Sequence, residues 1–289
     1  MARYGGNTAC VVLDERGQAP IVLDLGTGLR FFGLDWARRN GHSDFRATAL
    51  LTHLHWDHVQ GIPFFAPILS EGSCIDVHGP VQDGGSLEDV VRTFLAPPYF
   101  PVGIDSLPGR IDFHETTAGE FRVGEAVVQA GWVPHCGPTL GYRVTMGGRS
   151  VAYLSDHQQP GVGSTEVDPG VLDLCRDVDL LIHDAQYDLD EFAARVDWGH
   201  CTTDYAVEVG IQSGARTLVL FHHDPSHTDD RVDQLLERAV EQSTERSGPE
   251  VVAAHEGLTI ALAARRESDA ADLRVRADAA ASAEALVGR

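Results

Sequence analysis

The sequence predicts an α/β chain of the α+β kind, with two β-sheets packed face to face and helices on the outside. Three observations carry this. Short apolar runs rich in β-forming residues recur along the chain, bounded by turn residues such as Asp14-Glu15-Arg16-Gly17. In each half the strand-like runs come first and the helix-like segments follow, which suits layered sheets better than a doubly wound parallel sheet. The 289 residues are 43% hydrophobic, enough to bury a sizeable core.

Strands are expected at 9–13, 21–25 and 47–52. Gly26-Thr27-Gly28 follows the second, and 29–40 has helical spacing with Gly41 placed to end it. After the third strand comes Thr52-His53-Leu54-His55-Trp56-Asp57-His58, then an apolar helix-like stretch broken by Pro63 and Pro67. A short strand at 76–78 and a helix at 87–95 follow. Residues 96–110 hold four prolines and two glycines and read as a loop, with Tyr99 and Phe100 suited to a lid or pocket wall. The second half offers strands at 126–133, 140–145 and 150–154, a Gly/Pro-rich loop at 160–170, and a strand at 180–183. It ends with a helix at 203–213, a strand at 217–221, a helix at 231–242 and a strand at 251–254. The expected organisation is one domain over 1–264, in two pseudo-equivalent halves, 1–130 and 131–264. An Ala/Asp/Arg-rich tail or peripheral helix would occupy 265–289.

Charge and composition exclude several functions. With 22 basic against 43 acidic side chains the formal net charge is −21, which disfavours long nucleic acid as a partner. Every basic residue is arginine, so Schiff-base chemistry and a Walker-type phosphate loop, which need lysine, are absent. The five cysteines (Cys10, Cys74, Cys136, Cys175, Cys201) are odd in number and form no C-x-x-C, which predicts a reducing, cytoplasmic setting rather than a disulfide framework. No apolar run is long enough to span a membrane.

The 14 histidines are the surplus to explain. His53-x-His55-x-Asp57-His58 sits where an apolar strand ends and a helix begins. Imidazole and carboxylate are the ligand types for zinc and related divalent ions. His53 and His55 are two apart and face the same way in an extended segment, while the next turn lets Asp57 and His58 face a second ion. His135, Asp156 and His222 each follow an apolar strand. Any one alone reads as a cap or surface residue; together they supply the ligands the first motif lacks.

This series resembles the metallo-β-lactamase superfamily of hydrolases over roughly residues 5–260, with Asp24 matching an aspartate–glycine turn after an early strand. The resemblance implies a four-layer αββα sandwich with two divalent ions at one rim. Zinc is the expected metal, and manganese or iron also suits the ligands. One ion would take His53, His55 and His135, the other Asp57, His58 and His222, with Asp156 bridging. Gly199-His200-Cys201-Thr202 and the acid Asp184 resemble the ribonuclease Z and cyclic phosphodiesterase branch, where such a histidine donates a proton and is oriented by the acid. Members of that branch carry a further strand before the segment matching Gly5-Gly6-Asn7-Thr8, whereas here Met1 precedes it almost at once. They are often homodimers.

The implied activity is hydrolysis of a small phosphodiester or cyclic nucleotide by a hydroxide between the metals. Asp57 would steer the nucleophile and His200, held by Asp184, would act as general acid. Residues 158–168 are short and acidic, unlike the basic transfer-RNA arm of ribonuclease Z. Arg143 and Arg195 are candidate phosphate contacts, although solvated surface positions suit them as well. Trp56, Tyr99, Phe100 and Trp198 are candidate pocket walls. Cys136 and Cys201 read as small packing residues. His223, Asp224, His227, Asp229 and Asp230 read as a polar turn before a helix, and His42, His78, His114 and His255 as structural or surface residues. Alternatives on the same fold are a lactone or thioester hydrolase and a non-enzymatic metal-binding sensor or scaffold. A flavodiiron role is disfavoured, because that lineage has Glu where His55 stands.

Overall fold

A computed structural model of the chain describes residues 2–41, 45–82 and 84–262. The tail expected at 265–289, and His42, lie outside these residues. The first sheet is built from β1 (Val11–Leu13), β2 (Ile21–Leu23), β3 (Arg46–Leu50), β4 (Cys74–Pro80) and β5 (Arg110–Thr116), in that order. β1 runs antiparallel to β2, and the remaining pairs are parallel. The second sheet contains β6 (Gly119–Val123), β7 (Ala126–Trp132), β8 (Leu140–Met146), β9 (Arg149–Leu154), β10 (Leu180–Asp184), β11 (Thr217–Phe221) and β12 (Glu250–Ala253). Its order is β12-β11-β10-β9-β8-β7-β6, parallel from β9 to β12 and an antiparallel meander from β6 to β9.

The helices are α1 (Gly28–Asn40), α2 (Trp56–Val59), α3 (Leu87–Phe94), α4 (Pro169–Cys175), α5 (Leu189–Ala193), α6 (Thr203–Ser213) and α7 (Asp229–Glu245). Side-chain alternation along the strands explains the layering. Ile21 and Leu23 of β2 face Tyr142, Tyr153 and Ile182 between the sheets, while Val22 turns outward to Leu29 of α1 and to Phe45. On β10, Leu180 and Ile182 point into the same central layer and Leu181 packs outward with Ala206 of α6 and Ala239 of α7. Both faces are therefore covered, which is why the central strands read as unbroken apolar runs. The αββα sandwich expected from the sequence is the fold observed.

Several elements were not visible in the sequence. β5 is an edge strand whose polar residues (Asp112, His114, Glu115) interrupt any apolar period. β6, the opposite edge, turns only Phe121 and Val123 toward the core. α4 and α5 are seven and five residues long, too short for a periodic signal, and each begins at a capping aspartate, Asp168 or Asp188. The chain crosses from the first sheet to the second between Thr116 and Gly119, ahead of the half-boundary expected near residue 130. The helix-like stretch after His58 is one helical turn, α2, followed by two 3-10 turns at Ile62–Phe64 and Ala66–Leu69. Pro63 and Pro67 lack the N–H that a continuous helix would need.

One close approach positions the site. The turn after β2 lies directly on the backbone of α2: Leu25 N–H donates to the His58 carbonyl at 2.8 Å and Gly61 N–H to the Leu25 carbonyl at 2.9 Å. A Cβ at Gly61 would lie 2.0 Å from the Gly26 carbonyl oxygen. Among the described residues no helix is long and apolar enough to cross a membrane. Gly61→Ala must part these two backbone segments and is expected to cost at least about 2 kcal/mol. The measurement is the urea midpoint; an unchanged midpoint would show that the contact is slack.

Candidate metal centre

Seven residues anticipated as ligands meet at one rim of the sandwich, contributed by segments that leave four different strands. His53 and His55 follow β3, with His55 capping α2, which carries Asp57 and His58. His135 follows β7, Asp156 follows β9 and His222 is the first residue after β11. Ligating atoms of His53, His55, His135 and Asp156 lie within 4.8 Å of one another, as do those of Asp57, His58 and His222. Asp156 stands between the two sets. Its Oδ2 is 3.8 Å from His53 Nε2 and 3.9 Å from His135 Nε2, while its Oδ1 is 3.1 Å from His58 Nε2 and 3.7 Å from His222 Nε2. Asp57 Oδ2 sits 3.0 Å from His222 Nε2 and 3.3 Å from His58 Nε2.

Outward hydrogen bonds set which nitrogen each ring turns inward. His58 Nδ1 lies 2.8 Å from Asp24 Oδ2, His135 Nδ1 2.7 Å from the Gly199 carbonyl, and His222 Nδ1 3.1 Å from Gln186 Oε1. In each case the partner only accepts, so Nδ1 carries a proton and Nε2 is the nitrogen left to face a cation. Thr52 Oγ1 donates its single proton to Asp24, so it accepts from His53 Nδ1 at 3.0 Å, and His53 Nε2 is bare as well. His53 Nε2, His58 Nε2 and Asp156 Oδ1 are buried with no hydrogen-bond partner among the described residues; the 3.1 Å approach of the last two is not aligned as a hydrogen bond. An uncompensated buried polar atom costs about 1–3 kcal/mol. Convergent lone pairs, orphaned buried acceptors and mixed nitrogen and oxygen donors fit divalent cations, which is the group this fold family implies.

The two sets differ electrostatically. Burial holds His53 well below the ordinary imidazole pKa, and burial also lowers His55 and His135, so these rings are neutral at pH 7. Burial opposes charge on His58 and His222 too, but the carboxylates outweigh it. Asp156 and Asp24 raise His58, and Asp156 with the Asp57 hydrogen bond raises His222 to about 9. Asp57 and Asp156 are held below the usual carboxylate range despite burial: Asp57 chiefly by the His222 hydrogen bond and the adjacent His58 ring, Asp156 by the charges of the same two rings.

Asp184 and His200, the other anticipated pair, adjoin this centre. His200 Nδ1 is 3.0 Å from Asp184 Oδ2, and the His200 ring stacks on His222 with centroids 5.0 Å apart. The fully buried Asp184 carboxylate also accepts the N–H groups of His157 and Gln186, each at 3.0 Å. His200 Nδ1 is 3.7 Å from Asp156 Oδ2, close enough that Asp156, His200 and His222 form a further candidate ligand group.

Sequence reasoning marked Asp24 only as part of a turn and missed the other supports. Asp24 is fully buried in a left-handed backbone conformation (φ 58°), and His222 shares that conformation (φ 57°). His157 and His183, both buried, pair Nδ1 to Nε2 at 2.9 Å beneath Asp184. Cys201 does more than pack, because its Sγ donates to the Asp184 carbonyl, and Cys136 is exposed. Nothing in the sequence marks Gln186 or Tyr153, whose roles exist only through contacts across the fold. Of the two candidate arginines, Arg143 is excluded: its guanidinium donates to the carbonyls of Leu174 and Arg176 at the end of α4. Arg195 lies over the Tyr187 ring, which in turn meets His200 edge-on. His78 and His114 stack on each other, away from the site residues, with His114 Nε2 3.0 Å from Asp76. His227 pairs with Glu191 and Thr228 caps α7, as expected for a polar turn.

An αββα sandwich with histidines and aspartates converging at one rim is the architecture of a metal-dependent hydrolase. The chain belongs to the beta-lactamase superfamily, whose domain matches residues 22–223. It is 26% identical to the ribonuclease BN of Cronobacter sakazakii, over 80% of this chain and 91% of that enzyme. The same fold is seen in the metallo-beta-lactamase fold protein YhfI from Bacillus subtilis, with a TM-score of 0.63 and 20% identity over 89% of this chain and 94% of that one. It recurs in the short form of human tRNase Z, with a TM-score of 0.63 and 23% identity over 89% and 93% of the respective chains. The resemblance read from the histidine motif is thus borne out.

Two predictions follow from the electrostatics and the supports. A proton on His222 competes with a cation at every pH below about 9, whereas His53, His55 and His135 lose their protons below 6.5. Dialysis of metal-loaded protein from pH 8 to pH 6.5 should therefore empty the Asp57/His58/His222 set first. Metal content should fall toward half, and equal retention at both pH values would refute this. Asp24→Asn removes the anionic acceptor of His58 and should weaken metal binding about 10–100-fold, measured by competition with a chromogenic chelator.

Proposed function

We propose that this chain is a phosphodiesterase that uses two divalent ions, zinc being the best match to the donors, to cleave small phosphodiesters such as cyclic nucleotides. In this reading His53, His55 and His135 would hold one ion and Asp57, His58 and His222 the other, with Asp156 available to both. Bound there, the ions supply Lewis acidity, making water a nucleophile near neutral pH and polarising a phosphoryl oxygen. The residues do the rest. Asp57, beside both sets, accepts a hydrogen bond from the attacking water and orients it. Asp184 keeps the His200 proton on Nδ1 and stabilises the charged ring, so that Nε2 can deliver a proton to the departing alkoxide. The observation that carries the reading is this His200–Asp184 pair, stacked on a candidate metal ligand. Thioester hydrolysis needs no such donor, because a thiolate leaves without a proton.

Substrate size rests on charge and shape. The net charge of −21 opposes a long polyanion. Between β9 and β10 the chain forms a loop and then α4, which packs against β7 and β8 rather than extending outward as an arm. The ribonuclease relatives make a precursor transfer RNA a necessary member of any substrate panel.

The test pairs metal analysis with assays on cyclic nucleotides, bis-p-nitrophenyl phosphate, a precursor transfer RNA, a lactone and a thioester. Activity confined to the last two would remove the proposal, and preference for the RNA would replace its substrate class. His200→Ala should keep its metals and lose about 10²–10⁴-fold in turnover on esters with poor leaving groups, with a much smaller loss on p-nitrophenyl esters. Loss of metal in that variant would make His200 a ligand instead.

A further inference from the structure

A ladder of three side chains climbs from the catalytic histidine to the surface. The buried Tyr187 ring meets His200 edge-on, with centroids 5.8 Å apart and planes at 88°. The Arg195 guanidinium lies 5.2 Å from the Tyr187 ring centre and 5.6 Å from that of Trp198. Trp198, two residues before His200, is 63% exposed.

The loop that carries this exposed indole is pinned on every side. Gln158 holds both flanks, donating to the Val196 carbonyl at 2.6 Å and accepting the Gly199 N–H at 2.7 Å. Cys136 Sγ donates to the Asp197 carbonyl at 3.4 Å, and His135 Nδ1 to the Gly199 carbonyl at 2.7 Å. Gly199 has φ +93°, and a Cβ there would lie 2.3 Å from His135. Folding alone gives no reason to immobilise an indole that stays in water. An anchor held in its binding conformation has such a reason, because the ordering cost is met before the ligand arrives. Arg195 adds a second anomaly. In a chain with 43 acidic residues it has no carboxylate partner among the described residues; the two rings are its side-chain contacts.

We infer that Trp198, backed by Arg195, is a stacking subsite for a planar aromatic group of the substrate, namely the nucleobase of a nucleotide diester. This rests on the phosphodiesterase reading above. The ring face takes the base, and the guanidinium places a positive charge beside the phosphate in an otherwise anionic protein. Trp198 and Arg195 thereby determine specificity and take no part in bond cleavage.

The experiment compares binding of adenosine 5′-monophosphate and ribose 5-phosphate to the metal-loaded protein by calorimetry. The ligands share sugar and phosphate, so their difference isolates the base. The nucleotide should bind about 5- to 150-fold more tightly. Trp198→Ala should abolish that preference and Trp198→Phe should largely restore it, whereas Arg195→Gln, which removes the charge beside the phosphate that both ligands share, should weaken both. Equal affinities in the unaltered protein, or an equal weakening of both ligands by Trp198→Ala, would overturn the inference. Hydrolysis of bis-p-nitrophenyl phosphate by the unaltered protein reports separately on the diesterase reading. If that hydrolysis is absent while the nucleotide preference remains, the reading fails and the subsite stands.

Discussion

The Asp24 carboxylate is the interaction on which the site depends. It is fully buried and its charge is met by four hydrogen-bond donors. Thr52 gives its N–H at 2.7 Å and its hydroxyl at 2.9–3.0 Å, Tyr153 its hydroxyl at 2.9 Å, and His58 its Nδ1–H at 2.8 Å. Thr52 follows β3 in the first sheet and Tyr153 lies on β9 in the second, so one charge ties both sheets together beneath the rim. A buried carboxylate persists only when its lone pairs are satisfied, and here satisfying them also fixes the tautomer and orientation of His58 and, through Thr52, of His53.

Two site residues occupy left-handed backbone, and neither is glycine. Asp24 reverses the chain after β2, and His222 does so after β11. Each turn aims a side chain at the rim that an extended continuation would send to the wrong face. Such conformations are unfavourable for residues with a Cβ and survive where surrounding contacts determine them. The contacts are present: the network around Asp24 on one side, and Gln186 and Asp57 holding the two nitrogens of His222 on the other.

Most of the fold and the inner ring of the site were legible in the sequence, for physical reasons. Central strands covered on both faces leave uninterrupted apolar runs, and ligands placed at strand ends stand out as His or Asp immediately after them. β5 and β6 were invisible because edge strands may carry charge along one face without penalty. α4 and α5 were invisible because one or two turns hold no period. The residues that orient the ligands were hidden for another cause. Gln186, Tyr153, His157 and His183 act through partners distant in the chain, so no local pattern marks them, and Asp24 stood out only as part of a turn. Arg143 shows the converse, a residue of plausible type whose surroundings assign it to the end of a helix.

The candidate ligands also divide between the layers. His53, His55, Asp57 and His58 hang from the first sheet, and His135, Asp156 and His222 from the second. Any cation held in common is therefore a rivet through the seam of the sandwich. Chelation would remove that rivet along with the chemistry, leaving the seam to its apolar layer and to hydrogen bonds such as those to Asp24 and from Tyr142 to the Leu51 carbonyl. Resistance to proteases and to heat should rise and fall with the metal supply of the surroundings, so that for this protein starvation for a nutrient ion becomes a mechanical weakness.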